Sequence, residues 1–122
     1  MFINLKKLFR SFFRASLGLK QALADEQNFR LEVIFVIIVA FLAFYFKINP
    51  PNLLILILTG ALLLILELLN SIIERFIDIL KPRLHHYVGQ IKDLMSAAVL
   101  IAGIAAFIVA VIIFYPYFLK NY

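Results

Sequence analysis

The most informative part of this sequence is a row of four polar residues at helical spacing. In chain order they are Glu67, Asn70, Glu74 and Asp78. Each residue of an α-helix advances by about 100°, so the four side chains share an arc of about 80° on one face. Three carboxylates and an amide on one stripe have the chemistry to bind a hard cation or to transfer a proton.

Glu67 has the least ordinary position of the four. Residues 53–66 before it are apolar apart from Thr59 and Gly60. A carboxylate at that depth in a membrane costs a few kcal/mol on insertion scales, and such groups usually face a protein interior or a polar cavity. A solvated helix end explains Asp78 but explains Glu67 poorly. We therefore predict a functional role for Glu67.

Further charged residues are expected at the same level of the membrane. Asp25-Glu26 precedes the first apolar segment, and Lys92-Asp93 precedes the last. Clustered carboxylates repel one another unless a cation neutralises them or one is protonated. Mg²⁺ often takes only one or two carboxylates and completes its shell with water and phosphate. With Lys92 available to neutralise phosphate, the set suits metal-assisted phosphoryl transfer.

The elements that position these residues are predicted to be membrane helices. The 122 residues are 65% hydrophobic and 16% charged, well outside the usual composition of soluble domains. We expect an all-α integral membrane protein with a single membrane domain over residues 1–122. Its parts are an N-terminal interfacial amphipathic helix over 2–24 and three transmembrane helices over 29–48, 53–80 and 92–118. The absence of cysteine excludes disulfides and thiolate ligands.

The helix over 2–24 alternates charged and apolar residues with a helical period. Lys and Arg opposite aromatic residues suit a helix lying in the membrane interface. The alternative is an ordinary amphipathic helix packed on a soluble domain. At the other end of the chain, an interfacial aromatic belt is predicted from Tyr115, Tyr117 and Tyr122.

The distribution of basic residues predicts the topology. Residues 1–30 contain six Lys or Arg and residues 75–92 contain four, whereas the remaining connections have only Lys47 and Lys120. The positive-inside rule then places the N-terminus and the acidic stripe in the cytoplasm. Basic residues beside membrane spans favour anionic lipid headgroups, so no nucleic-acid partner is expected.

The segment from Glu67 to Asp78 resembles the signature of the prokaryotic membrane diacylglycerol kinase/undecaprenol kinase family. The Glu, Asn-Ser, Glu and Asp all fall at the family spacing. Other matches are Gly18-Leu19-Lys20, Glu26, Phe29-Arg30, Glu32, His85, Lys92-Asp93 and Ser96-Ala97-Ala98-Val99-Leu100. The resemblance extends over roughly residues 12–112, and Pro82-Arg83 departs from it.

The resemblance implies an enzyme of the bacterial inner membrane that transfers the ATP γ-phosphate to the hydroxyl of a membrane lipid. It also implies a homotrimer whose active sites are shared between subunits. Glu26 and Glu74 would ligate the Mg²⁺ that bridges the ATP phosphates. Glu67 would be the general base, and Asn70 would orient Glu67 or a phosphate oxygen.

The remaining family roles are carried over residue by residue. Lys92 would contact the phosphates, Asp93 and His85 would help to hold the nucleotide, and Ser96 would lie near the lipid headgroup. Asp78 is assigned to the nucleotide site as part of the signature. Arg14 is a candidate phosphate contact, with binding of lipid headgroups as the alternative.

Several functions remain open at this point. Diacylglycerol and undecaprenol both end in a primary hydroxyl, and no residue separates the two as substrates. Two other classes of protein also use intramembrane carboxylates. One is a small proton-coupled transporter, although such proteins usually have four spans with the Glu in the first. The other is a non-enzymatic membrane scaffold in which the carboxylates pair with Arg30, Arg75 and Lys92.

Overall fold

The computed structural model describes residues 2–83 and 85–120, and it is helical over most of that length. The helices are α1 (Leu5–Asp25), α2 (Gln27–Tyr45), α3 (Pro50–Leu80) and α4 (Val88–Lys120). Helices α2, α3 and α4 are long and apolar enough to cross a membrane. The chain therefore has the architecture of an all-helical membrane protein. Tyr122, assigned above to an aromatic belt, lies outside the described residues.

The starts of α1 and α3 have side-chain or proline signals that explain them. Asn4 Oδ1 accepts a hydrogen bond from the Lys7 amide at 3.2 Å, which satisfies a free donor at the start of α1. Asn49 Oδ1 accepts from the Asn52 amide at 3.0 Å and does the same for α3. Pro50 and Pro51 occupy the first two positions of α3, where no amide donor is needed.

Helix α3 extends from the apolar region to the polar site. Its 31 residues extend about 46 Å at 1.5 Å per residue. The hydrocarbon core of a bilayer is only about 30 Å thick, so the last turns of α3 emerge from it. Helix α4 begins at Val88, four residues before the start predicted at residue 92. This earlier start places Lys92 and Asp93 one turn inside the helix and not at its first two positions.

The core is small and lies mainly between α3 and α4. One buried cluster contains Ala43, Ile48, Leu56, Ile113 and Phe114. A second cluster, closer to the acidic stripe, contains Leu63, Ala102 and Ala106. Small residues of this kind allow membrane helices to approach closely. Most of the other large apolar side chains are exposed, as expected for helices surrounded by lipid.

Helices α1 and α2 meet at a sharp corner around Glu26. Glu26 has an extended backbone, with φ −112° and ψ 108°, and separates the two helices by one residue. Arg30 Nη1 donates to the carbonyl oxygens of Leu23 at 2.9 Å and Ala24 at 2.8 Å, which caps the end of α1. Phe29 is buried beside this corner, with 2% of its surface exposed.

Candidate functional site

The stripe on α3 passes from a buried end to an exposed end. Glu67 is 2% exposed and Asn70 is 8% exposed, whereas Glu74 is half-buried and Asp78 is exposed. Exposure increases along the chain because each turn of α3 lies closer to the polar end of the helix. A buried carboxylate is thus connected by one helix face to carboxylates that water can reach.

Asn70 connects Glu67 and Glu74 along this face. Its Nδ2 donates to Glu74 Oε1 at 3.4 Å, a long hydrogen bond across one helical turn. Its Oδ1 is buried and has no hydrogen-bond partner among residues 2–83 and 85–120. Buried polar atoms normally have a partner, so the free acceptor indicates a group that this site is built to receive.

A cavity of about 470 Å³ adjoins the buried end of the stripe. Its polar lining residues are Asn28, Glu32, Glu67, Asn70 and Ser96. Its other lining residues are Val99, Leu100, Gly103, Ile104 and Phe107. A lining that combines polar and apolar residues suits a small headgroup attached to a hydrocarbon chain. The structure thus brings Ser96 to the same cavity as Glu67 and Asn70.

Glu32 and Asn28 are cavity residues for which the sequence predicted no role in the site. Glu32 lies on α2 within electrostatic range of Glu67, and its Oε2 is buried without a hydrogen-bond partner in the described part of the chain. The sequence did contain a signal, because a carboxylate near an apolar span is costly wherever it occurs. The argument made for Glu67 holds for Glu32 as well, since Glu32 directly precedes the uncharged run from Val33 to Phe46.

A second acidic group lies at the corner between α1 and α2. Glu26 and Glu74 are both within electrostatic range of Glu67, although Glu26 lies at the corner and Glu74 lies on α3. Arg75 Nη2 is 3.5 Å from Glu26 Oε1 and 3.5 Å from Asp25 Oδ2. The fold therefore gathers the carboxylates of α1 and α3 at one end of the bundle, with an arginine between them.

These residues fit a magnesium site of the kind that is completed by its substrate. Among the described residues, no three or more His, Asp or Glu side chains form a ready-made metal site. Mg²⁺ does not require one, since one or two carboxylates with water and phosphate suffice. Glu26 and Glu74 would supply the carboxylates, and the buried Oδ1 of Asn70, which has no partner among the described residues, would be a further oxygen ligand.

The remaining predicted site residues are distributed around this end of the bundle. Lys92 Nζ is 3.2 Å from Asp78 Oδ1, so α3 and α4 are joined by an ion pair beside the stripe. Asp93 is exposed on α4, and His85 is exposed in the connection, with its ring 5.6 Å from that of His86. Arg14 is exposed on α1, and it takes part in none of the ion pairs found among residues 2–83 and 85–120.

The fold and the site together define a class of protein, namely a helical membrane protein with an acidic, partly apolar site at one end. Comparison with known proteins gives the family. Residues 14–114 match the model of the family described as prokaryotic diacylglycerol kinase. The chain belongs to this family, and it is therefore a kinase.

Individual relatives agree with this assignment. The chain is 36% identical to the diacylglycerol kinase of Escherichia coli strain K12 over 101 residues, which is 83% of each chain. It is 36% identical over 100 residues to the diacylglycerol kinase of Synechocystis, covering 81% of this chain and 57% of that one. It is also 27% identical over 113 residues to the undecaprenol kinase of Bacillus subtilis, covering 93% and 92%.

Proposed function

We propose that this protein is an ATP- and Mg²⁺-dependent lipid kinase of the bacterial inner membrane, with diacylglycerol as its acceptor and phosphatidic acid as its product. The observation that carries the proposal is the position of Glu67, which is buried beside a cavity lined by both polar and apolar residues. A lipid hydroxyl can reach this carboxylate from the membrane while ATP approaches the exposed end of the stripe from water. Undecaprenol is the alternative acceptor, since one relative is named for it.

In the proposed reaction Glu67 is the general base. Its carboxylate takes the proton of the lipid hydroxyl as the hydroxyl oxygen forms a bond to the γ-phosphorus of ATP. The bond from that phosphorus to the bridging oxygen breaks, and ADP leaves. Asn70 orients the reacting groups, since its Nδ2 already contacts Glu74 and its Oδ1 is free to accept. Catalysis of this kind depends mainly on positioning and on charge neutralisation.

Glu26 and Glu74 are the proposed ligands of Mg²⁺. When bound, the ion would neutralise negative charge on the ATP phosphates. Lys92, which forms an ion pair with Asp78 in this structure, would contact the phosphates. Asp78, His85, Asp93 and Arg14 would hold other parts of the nucleotide, and Ser96 would contact the lipid headgroup from the cavity wall.

We further propose that the N-terminus and the site face the cytoplasm, with α1 lying in the interface. The basic residues of α1 and of the 75–92 connection support this orientation. A homotrimer with sites shared between neighbouring subunits is the proposed assembly. It is supported by the largely exposed apolar faces of α2 and α4, which can contact lipid or a neighbouring copy.

The test is phosphoryl transfer in lipid vesicles containing the purified protein. Vesicles with diacylglycerol, with undecaprenol or with neither are incubated with γ-labelled ATP, with Mg²⁺ or with a chelator. Label should enter one of the two lipids, and only when Mg²⁺ is present. Glu67→Gln should lower the rate by about 10²–10⁴, as expected for loss of a positioned base. Ser71→Ala is the matched control, because Ser71 is buried one turn away and donates only to the Glu67 carbonyl oxygen at 3.3 Å.

The two rival classes give different results in the same vesicles. A proton-coupled transporter would move solutes without ATP and would leave both lipids unlabelled. A scaffold would neither move solutes nor consume ATP with any lipid alcohol. Wild-type activity in Glu67→Gln would contradict the assignment of the base while leaving the kinase function intact.

A further inference from the structure

Arg75 is the cation that lies between the acidic groups of the α1 corner. Its Nη2 is equidistant, at 3.5 Å, from Asp25 Oδ2 and Glu26 Oε1. Helix α1 packs mainly against α2, so these ion pairs supply its polar contacts with α3. Arg75 thus joins the end of α1 to the helix that carries Glu67 and Glu74.

The backbone of this corner is already fixed by other contacts. The Glu26 amide donates to the Ala22 carbonyl oxygen at 2.9 Å, and the Arg30 amide donates to the Glu26 carbonyl oxygen at 3.1 Å. The side chain of Glu26 is less restrained, because Arg75 is its hydrogen-bonding partner within the described ranges. The direction in which this carboxylate points therefore depends on Arg75.

We infer that Arg75 is a positioning residue, which directs the Glu26 carboxylate towards the stripe on α3 so that Glu26 and Glu74 can bind one divalent cation. The inference rests on the metal role proposed above for Glu26. It assigns no contact between Arg75 and substrate. Arg75 follows Glu74 directly in α3, so its side chain leaves the helix about 100° away from the stripe and extends to the α1 corner.

Asp25 has a definite part in this arrangement. A guanidinium group has several donors in a planar fork and can serve two carboxylates at once. Because Asp25 also pairs with the Arg75 guanidinium, the positive charge is divided between two carboxylates. Glu26 is therefore oriented without being neutralised completely. The 3.5 Å distances and the half-exposed side chains of Arg75 and Asp25, at 51% and 62%, indicate weak pairs. A bound divalent cation can compete with pairs of this strength.

The direction in which metal affinity changes when Arg75 is replaced distinguishes a positioning role from a purely electrostatic one. Removing a cation beside a metal site should strengthen metal binding if only charge matters. If Arg75 positions Glu26, Arg75→Gln should instead weaken it. Binding of Mn²⁺, a spectroscopic substitute for Mg²⁺, is measured by electron paramagnetic resonance on the purified protein in detergent, alone and with a non-hydrolysable ATP analogue.

We expect Arg75→Gln to raise the Kd for Mn²⁺ by about three- to tenfold. Arg75→Lys should have a smaller effect, because its ammonium group keeps the charge although it cannot serve both carboxylates equally. Lys81→Gln is the control, since Lys81 is also exposed near the end of α3 and makes no ion pair in the described part of the molecule. In the kinase assay the KM for Mg-ATP should rise, while the KM for lipid should stay the same. Amide exchange around residues 22–30 reports whether the corner itself is preserved.

The inference would be overturned if the Kd of Arg75→Gln for Mn²⁺ were unchanged or lower both alone and with the analogue. It would also be overturned by the absence of any Mn²⁺ binding by the wild-type protein, which would remove the metal role of Glu26 as well. Weaker binding of the analogue itself when no divalent metal is present would mean that Arg75 contacts phosphate, which also contradicts positioning. Weaker Mn²⁺ binding in a protein that phosphorylates no lipid would support the inference and refute the proposed function.

Discussion

Asn70 and Glu74 are joined by a hydrogen bond across one turn of α3, and the bond leaves half of the Asn70 amide unused. Nδ2 donates to Glu74 Oε1 at 3.4 Å, while Oδ1 is buried with no partner among the described residues. A buried acceptor without a partner costs free energy in the resting protein. Its presence next to the buried Glu67 indicates that this part of α3 is arranged for function at some expense of stability.

Replacement of Asn70 should separate stability from activity. Asn70→Leu removes the buried, unpaired oxygen and keeps a similar volume, so the thermal stability of the protein in detergent should be unchanged or higher. Phosphoryl transfer should fall by about tenfold or more, because Glu74 loses its donor and the reacting groups lose their orienting amide. Both quantities are measured on one preparation. A fully active Asn70→Leu protein would show that the amide is dispensable.

The ion pair between Lys92 and Asp78 leads to a prediction about the KM for ATP, which should rise more when Lys92 is replaced than when Asp78 is. Lys92→Met removes the cation proposed to contact phosphate and should raise the KM for ATP by about tenfold, equivalent to about 1.4 kcal/mol. Asp78→Asn keeps the Lys92 cation and removes the carboxylate 3.2 Å from it, so its effect should be smaller. Initial rates at varied ATP give both values, with Lys81→Met as a control for loss of charge. A larger effect of Asp78→Asn would reverse the proposed roles.

Gly60 tests how closely α2 and α3 must approach. A methyl group at Gly60 would lie 3.6 Å from Val36 Cγ2, an ordinary packing distance. Gly60→Ala should therefore be tolerated, and it should stabilise α3 by up to about 1 kcal/mol, since glycine is a poor helix former. Gly60→Phe should lower the melting temperature by forcing the helices apart. Gly18→Ala, with no neighbour within 4 Å of the added carbon, controls for the helix propensity alone.

Phe46 is expected to contribute to stability and not to catalysis. Its ring lies 4.9 Å from that of Phe118 and 5.0 Å from that of Tyr45, at the end of the bundle opposite the acidic stripe. Phe46→Ala should destabilise the protein by about 2 kcal/mol, less than a fully buried phenylalanine. The KM values for ATP and lipid should not change below the melting temperature. Phe44→Ala is the matched control, because Phe44 is 83% exposed.

Much of the site could be predicted because it lies on one continuous helix. The spacing of Glu67, Asn70 and Glu74 determines their common face whatever the tertiary structure, and the apolar residues before Glu67 predicted its burial. The cavity beside them could not be predicted in the same way. It includes Glu32 from α2 and Ser96 from α4, and the distances between side chains on different helices depend on how those helices pack.

The helix ends also include one feature that the sequence predicts and one that it does not. Pro50 and Pro51 determine where α3 begins, and the structure has the helix starting there, earlier than the predicted residue 53. The position of Arg75 is harder to read, because its charge alone is equally typical of a helix end in water. Only the one-residue corner at Glu26 brings Asp25 close enough to share its guanidinium.

The short connection between α2 and α3 affects how the chain is made. Only residues 46–49 separate the two helices, and Lys47, with φ 53°, is the sole charged residue there. Two apolar helices joined so tightly should enter the bilayer together as a hairpin, with just one ammonium group crossing to the far side in the proposed topology. Biosynthesis should thus be sensitive to added charge at this turn, even though the turn lies far from the acidic stripe.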